Sequence, residues 1–263
     1  METSCLKKMS KSFTQNGVVE YTLDFGEESI SMNALVGKVI NLEFKGQIFC
    51  SHCGKKTKKS FSQGYCFPCM RSLPETDLCM VRPENCHYHL GTCRDEAWGE
   101  LHCMKSHYVY LANSSGIKVG ITRDKPVNRW IDQGASQGLV VLETKNRLEA
   151  GLVETALKTR VADKTNWRRM LKGAPEKVDL VDVWRGLEDA VPAAYRQLGK
   201  ESLPLDIQYP VERYPETIKS YNFDKEPFVS DRLFGIKGQY LIFEKAVLNL
   251  RKFTGYEVSF SAH

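Results

Sequence analysis

No stretch of this 263-residue chain approaches the ~20 consecutive apolar residues of a membrane-spanning helix, which sets aside a helical membrane protein. The opening residues, Met1-Glu2-Thr3-Ser4-Cys5-Leu6-Lys7-Lys8, lack the long apolar core of a secretory signal, so the expected location is cytoplasmic. Internal repeats and low-complexity tracts are also missing. There is no strong excess of one charge sign: the formal net charge is +5, which permits nucleic-acid binding without demanding it. Cysteine is nearly absent outside one region, since eight of the 9 cysteines fall between Cys50 and Cys103. In a reducing compartment such clustering reads as metal binding rather than disulfides. What remains is ordinary for a globular protein: 42% hydrophobic and 26% charged residues, and a length that fits one large domain or two to three small ones.

Along the chain, residues 1–49 form a β segment, with Val18-Val19-Glu20-Tyr21-Thr22-Leu23 and Val39-Ile40-Asn41-Leu42-Glu43-Phe44 reading as strands. Residues 50–106 hold the cysteines and show little periodicity, so metal is expected to replace a hydrophobic core. Residues 107–172 open with two strand-like runs, 108–112 and 116–121, joined by Asn113-Ser114-Ser115, a hairpin signal. A helix is expected over Asn146–Val161 with Leu148, Leu152, Ala156 and Leu157 on its apolar face. Another is expected within the helical segment 173–204, over Val178–Leu198, broken or kinked at Pro192. Residues 205–263 return to strands, expected to close with those of 1–49 into a small β-barrel. Gly235 and Gly238 within them suit a bulge or a close backbone approach, and Lys237, Tyr240, Arg251 and Tyr256 are candidates for a nucleic-acid face on that barrel.

Cys50-x2-Cys53-x12-Cys66-x2-Cys69 is a pair of CxxC turns, each able to aim two thiolates at one tetrahedral zinc ion. The arrangement resembles a zinc ribbon. Lys55, Lys56, Lys58 and Lys59 lie between the pairs, at the expected hairpin tip, and suit phosphate contacts. A second group, Cys79, Cys86, Cys93 and Cys103, is expected to hold another zinc, with His89 the best substitute ligand among His87, His89, His102 and His107. Cysteine ligation alone leaves an iron–sulfur cluster open. His107 adjoins the following strand and is a structural or a catalytic histidine.

The stretch from His107 to Trp167 carries residue types suited to metal-assisted phosphodiester cleavage. Glu154 offers a carboxylate for Mg²⁺ or Mn²⁺, and Arg129 a bidentate phosphate clamp. Tyr110 is able to orient or deprotonate water if neighbouring cations lower its pKa. Lys118 supplies such a field or stabilises developing negative charge. Trp130 and Trp167 are candidates to stack on bases, with core packing as the competing role. Arg123 and Arg168 add basic side chains nearby, and Lys164, Arg169 and Lys172 extend the basic run.

The order and spacing of these residues resemble the GIY-YIG nuclease superfamily. Tyr108-Val109-Tyr110 looks like its first hairpin motif and Lys118-Val119-Gly120 like its second. Glu149-Ala150 precedes Glu154, and Asn166 follows twelve residues later, as in that family's metal-binding segment. The resemblance implies an α/β sandwich. It also implies a catalytic set of Tyr110 for the attacking water, Arg129 or less well Arg123 for the phosphate, Glu154 for the metal, and Asn166. The tyrosine of the second motif is replaced by Lys118, as in a divergent branch with a Lys-Ile/Val-Gly motif. The resemblance covers about a quarter of the chain, and the whole also looks like an uncharacterised bacterial and archaeal family in which such a domain follows a cysteine-rich segment.

The expectation is therefore an α+β protein: a GIY-YIG-like α/β sandwich domain, a zinc-ribbon-like segment and a small β-barrel from the two terminal segments. Its expected activity is that of a metal-dependent endonuclease on DNA or RNA. The rival reading is a non-catalytic, zinc-containing nucleic-acid-binding protein on a degenerate nuclease fold, and Lys118 keeps it open.

Overall fold

The structure is a computed structural model that describes residues 3–200 and 202–263. The chain divides into two compact units, one of residues 1–71, 171–173 and 208–263, the other of 72–170 and 174–207. The described residues make a mixed α+β protein with three sheets, all of whose strand pairs are antiparallel. No helix among the described residues is long and apolar enough to cross a membrane.

In the first unit the early and late strands do share a sheet. Val39–Phe49 pairs on one side with Tyr256–Ala262 and on the other with Phe228–Lys237. The sheet continues to Thr3–Cys5 at one edge and through Tyr240–Phe243 to Val247–Asn249 at the other. Among the described residues these edges do not pair, so the sheet is open and the expected barrel is not formed. Closure needs a consistent tilt and stagger around every strand. Here the edge strands are three residues long, and register shifts interrupt the ladder between Leu233 and Gly235 and between Tyr256 and Val258. Gly235 is approached by the chain's own backbone, since a Cβ there would lie 2.6 Å from Val211 Cα. Ser10–Phe13, Val19–Phe25 and Glu28–Ser31 form a separate three-stranded sheet. In Val19–Phe25 the residues Val19, Tyr21, Leu23 and Phe25 are buried in strict alternation, the period-2 pattern of a strand with one covered face.

The second unit is built on a four-stranded sheet in the order Leu205–Asp206, Gln137–Thr144, His107–Asn113, Ile117–Thr122. The expected hairpin is its right-hand pair, with Tyr110 opposite Gly120 and Ala112 opposite Lys118. Nearly every residue of Gln137–Thr144 and His107–Asn113 is buried. Val109, Leu111, Val119, Leu139 and Val141 pack with the Arg147–Leu157 helix and with Leu180, Leu187 and Val191.

Two helical expectations change. The Arg147–Leu157 helix begins at Asn146, whose side chain accepts from the Glu149 N–H. Its buried face is Ala150, Gly151, Val153, Glu154 and Leu157, while Leu152 is exposed. An i, i+3, i+4, i+7 stripe that includes a glycine and a glutamate is invisible to a search for large apolar residues. The helix expected over Val178–Leu198 is three short pieces, Leu180–Arg185, Glu188–Ala190 and Ala193–Leu198, the latter two 3₁₀ turns. Gly186 closes the first, and Pro192, which has no N–H to donate, precedes the last.

Candidate functional site

Residues opposite one another in an antiparallel pair share a face, and that face repeats every second residue. Tyr110, Gly120, Ala112 and Lys118 therefore lie on the same side of the hairpin. Gly120 makes room for the phenol: a Cβ there would stand 2.4 Å from Tyr110 Oη. The Tyr110 ring is fully buried, donates from Oη to Gln133 Oε1 at 3.1 Å and meets the Trp130 ring edge-on at 6.0 Å. Its pKa is raised by burial, against the pull of Arg129 and Gln133. The sequence-based expectation of a phenol acidified by cations is not met, and Tyr110 is a neutral hydrogen-bond donor and acceptor.

Lys118 is 5% exposed. Burial, followed by the repulsion of Arg129, brings its ammonium down to about 8, and the Glu154 and Asp163 carboxylates oppose this. Glu154 sits on the buried face of the Arg147–Leu157 helix, 8% exposed. Burial raises its carboxyl, and Lys158 and Lys118 pull it back. Lys158 Nζ stands 3.7 Å from both Glu154 Oε2 and Asp163 Oδ2. Asp163 arrives because the preceding residue bonds to the hairpin edge, with the Val119 N–H donating to Ala162 O at 2.8 Å.

These groups line one cavity of about 470 Å³. It contains Tyr110, Lys118, Glu154 and, from the Pro126–Asp132 helix, Arg129. Arg123, Arg147, Lys158 and Lys164 add positive charge against Asp124 and Asp163, and Met80, Val81 and Pro83 form an apolar wall. Cationic side chains lining the cavity outnumber its carboxylates, which suits an anionic group flanked by one metal-binding carboxylate.

Other expected residues are elsewhere. Asn166 is outside the cavity: its Oδ1 accepts from the Arg169 N–H at 3.1 Å, capping the short Trp167–Met170 helix. Trp130 is core, packed where Gly138 has no side chain, for a Cβ there would stand 2.2 Å from the indole. Trp167 is half-buried, with the Arg168 guanidinium 4.3 Å from its ring centroid. His107 is buried and neutral, its pKa brought down by burial to about 4. Its Nδ1 faces Lys105 O at 2.8 Å, which requires the proton on that nitrogen. Lys164 was legible only as part of a basic run, and Gln133, Arg147, Lys158 and Asp163 were not singled out for the site from the sequence. Of the latter only Lys158, four residues after Glu154, carries a local signal, the i,i+4 ion-pair spacing.

Cys50, Cys53, Cys66 and Cys69 form a four-cysteine cluster in the first unit, with sulfur atoms all within 4.8 Å of one another. Cys53 Sγ and Cys66 Sγ are 3.8 Å apart, about the edge of a sulfur tetrahedron with Zn–S bonds of ~2.3 Å. Burial works to raise the Cys50 thiol. Backbone N–H groups of Cys53, Cys66 and His52 outweigh it and bring the thiol down to about 6, toward the thiolate that a metal needs. The cluster is able to bind zinc. Lys55, Lys56, Lys58 and Lys59 on the intervening segment are all exposed.

Cys79, Cys86, Cys93 and Cys103 line a second, small cavity in the other unit, together with Asp77 and His87. The donor atoms of Asp77, Cys79 and His87 lie within 4.8 Å of one another, and Cys86 and Cys103 are thiol hydrogen-bond partners. His89, expected as the substitute ligand, is exposed and outside this group, and His87 occupies the place it was assigned.

Residues 37–258 match the model of a family described as a protein of unknown function, DUF2797, and the chain belongs to that family. No curated protein and no solved structure matches it.

Proposed function

We propose that this protein is a metal-dependent endonuclease that hydrolyses phosphodiester bonds of DNA or RNA in the cavity of the second unit, on a domain of the GIY-YIG type. The observation that carries the reading is the convergence of Tyr110, Lys118, Arg129 and Glu154 on one positively charged cavity. The pairing of Tyr110 with Gly120 across the hairpin supports it as well, because it gives the glycine of the second motif a physical reason.

Hydrolysis of a phosphodiester needs a positioned water, charge neutralisation on the phosphate and help for the leaving oxygen. Arg129, an exposed residue lining the cavity, is placed to clamp the phosphate through two N–H donors. Lys118, desolvated and with its ammonium brought down to about 8, still holds positive charge at pH 7 where a low dielectric magnifies it, and is able to move a proton near pH 8. Tyr110, neutral and anchored on Gln133, orients the water rather than acting as a phenolate. Glu154 would hold Mg²⁺ or Mn²⁺, with Asp163 beside it, and the bound ion supplies Lewis acidity toward the phosphate. Zinc at Cys50, Cys53, Cys66 and Cys69 is structural in this reading, and a second zinc belongs to the group of Cys79, Cys86, Cys93 and Cys103. The lysines 55, 56, 58 and 59, and Arg123 and Arg168, serve as phosphate contacts.

Replacing Tyr110 by Phe and, separately, Glu154 by Ala is expected to remove Mg²⁺-dependent cleavage while leaving the melting curve of a folded protein. If both variants cut a labelled nucleic acid as fast as the native chain, the roles assigned to these residues are wrong.

A further inference from the structure

Residues 73–95 contain no strand and no helix longer than one 3₁₀ turn. Their side chains are inverted relative to a hydrophobic core. Leu78, Val81 and Leu90 are 59%, 75% and 65% exposed, while Cys79 and Cys86 are buried, together with Cys103 at the end of the next helix. A segment that turns its large apolar residues out and its thiols in is not organised by apolar burial. The void they enclose is about 10 Å³, room for one water-sized body. Asp77 accepts from the Cys79 N–H, and Arg94 reaches its other oxygen at 2.6 Å, so the ligand turn is itself braced.

The same segment is the apolar wall of the candidate catalytic cavity. Met80, Val81 and Pro83, which line it, lie between Cys79 and Cys86. Arg147, also in the cavity, donates to Cys79 O and Met80 O at 3.3 and 2.8 Å. The Pro83–Glu84 backbone is seated directly on the Arg147–Leu157 helix at Gly151, three residues before Glu154. A Cβ on Gly151 would stand 2.4 Å from Glu84 N.

We propose that Cys79, Cys86 and Cys103, with Cys93 or His87 as the fourth ligand, hold a thiophilic divalent ion of the zinc class, and that this ion keeps the Met80–Pro83 wall closed over the cavity, so that the site forms only in metal-loaded protein. The metal centre stands on its own, and the use of the wall in cleavage rests on the nuclease reading above.

The test uses the full chain without nucleic acid, so an inactive enzyme does not affect it. Metal analysis of the native protein, with thiol-reagent release followed by a zinc dye, is expected to give about two zinc equivalents per chain. The Cys86→Ser/Cys103→Ser variant is expected to keep only one. Amide exchange over 78–86 is expected to accelerate in that variant, while the His107–Asn113 strand keeps its protection. Should the double variant fail to fold, Cys93→Ser and His87→Ala, on the rim of the cluster, are read the same way. Whichever of the two lowers zinc affinity identifies the fourth ligand. A single zinc equivalent that vanishes on Cys53→Ser would overturn the second centre. Loss of the second ion with unchanged exchange over 78–86 would overturn its role as a brace.

Discussion

Lys118→Met removes a buried ammonium and keeps most of its aliphatic volume. In the native protein burial brings this ammonium from 10.5 down to about 8. At about 1.36 kcal/mol for each tenfold change in proton affinity, holding the charged form in the fold costs about 3 kcal/mol. The attraction of Lys118 for Glu154 is already included in that balance, and losing it raises the Glu154 carboxyl further, so 3 kcal/mol is the upper limit of the gain. The expected result at pH 7 is a variant at least as stable as the native chain in urea denaturation, and less active or inactive in cleavage. The sign with pH follows from proton counting. Between about pH 8 and 10.5 the unfolded chain keeps this proton and the folded chain releases it, so the site makes native stability rise with pH. The advantage of the methionine variant is therefore expected at pH 7 and lost by about pH 10, where the native lysine is neutral in the fold. A loss of more than about 1 kcal/mol at pH 7 would refute the reasoning, because Lys118 would then be a net stabilising ion-pair partner rather than a group held at a cost for function.

Gly120→Ala puts a Cβ 2.4 Å from Tyr110 Oη and is expected to cost about 1–3 kcal/mol by overpacking and to displace the phenol, read as a lower midpoint together with loss of cleavage. Gly151→Ala, against the Pro83–Glu84 backbone, is expected to carry a similar stability cost and to speed amide exchange over 78–86, because backbone cannot yield as a flexible side chain does. Cys53→Ser is expected to release the zinc of the first cluster and to expose residues 50–69 to proteolysis, since metal binding and local folding are one equilibrium in such turns. Unchanged zinc content would remove Cys53 from the ligand set.

The parts of the fold that were legible in the sequence share one property: the signal is local. The CxxC pairs place four sulfur atoms through turn geometry alone, and the 108–121 hairpin is written in strand residues around a short polar turn. The long-range features were not legible. Gly235 marks the register shift beside it, but nothing local says whether Thr3–Cys5 reaches Val247–Asn249 across the sheet. The buried stripe of the Arg147–Leu157 helix was misread because Gly151 and Glu154 do not look like core. Gly151 faces the Pro83–Glu84 backbone and Glu154 faces Lys118, both from elsewhere in the chain. Asp163 and Arg147 reach the cavity through contacts with Lys118's neighbour and with the Cys79 loop, and spacing from Tyr110 does not encode them. Asn166 carries two local signals at once, the register of a family pattern and the position of a helix cap, and the structure shows the second.

The most direct measurement is a cleavage assay with zinc-loaded protein on labelled single- and double-stranded DNA and RNA, with Mg²⁺ or Mn²⁺, beside Glu154→Ala. Metal-dependent cutting by the native chain and none by the variant is the expected result, and the substrate that is cut names the class. Salt-sensitive retention of one nucleic acid by both proteins with no cutting by either would contradict the nuclease reading and make the cavity a binding surface.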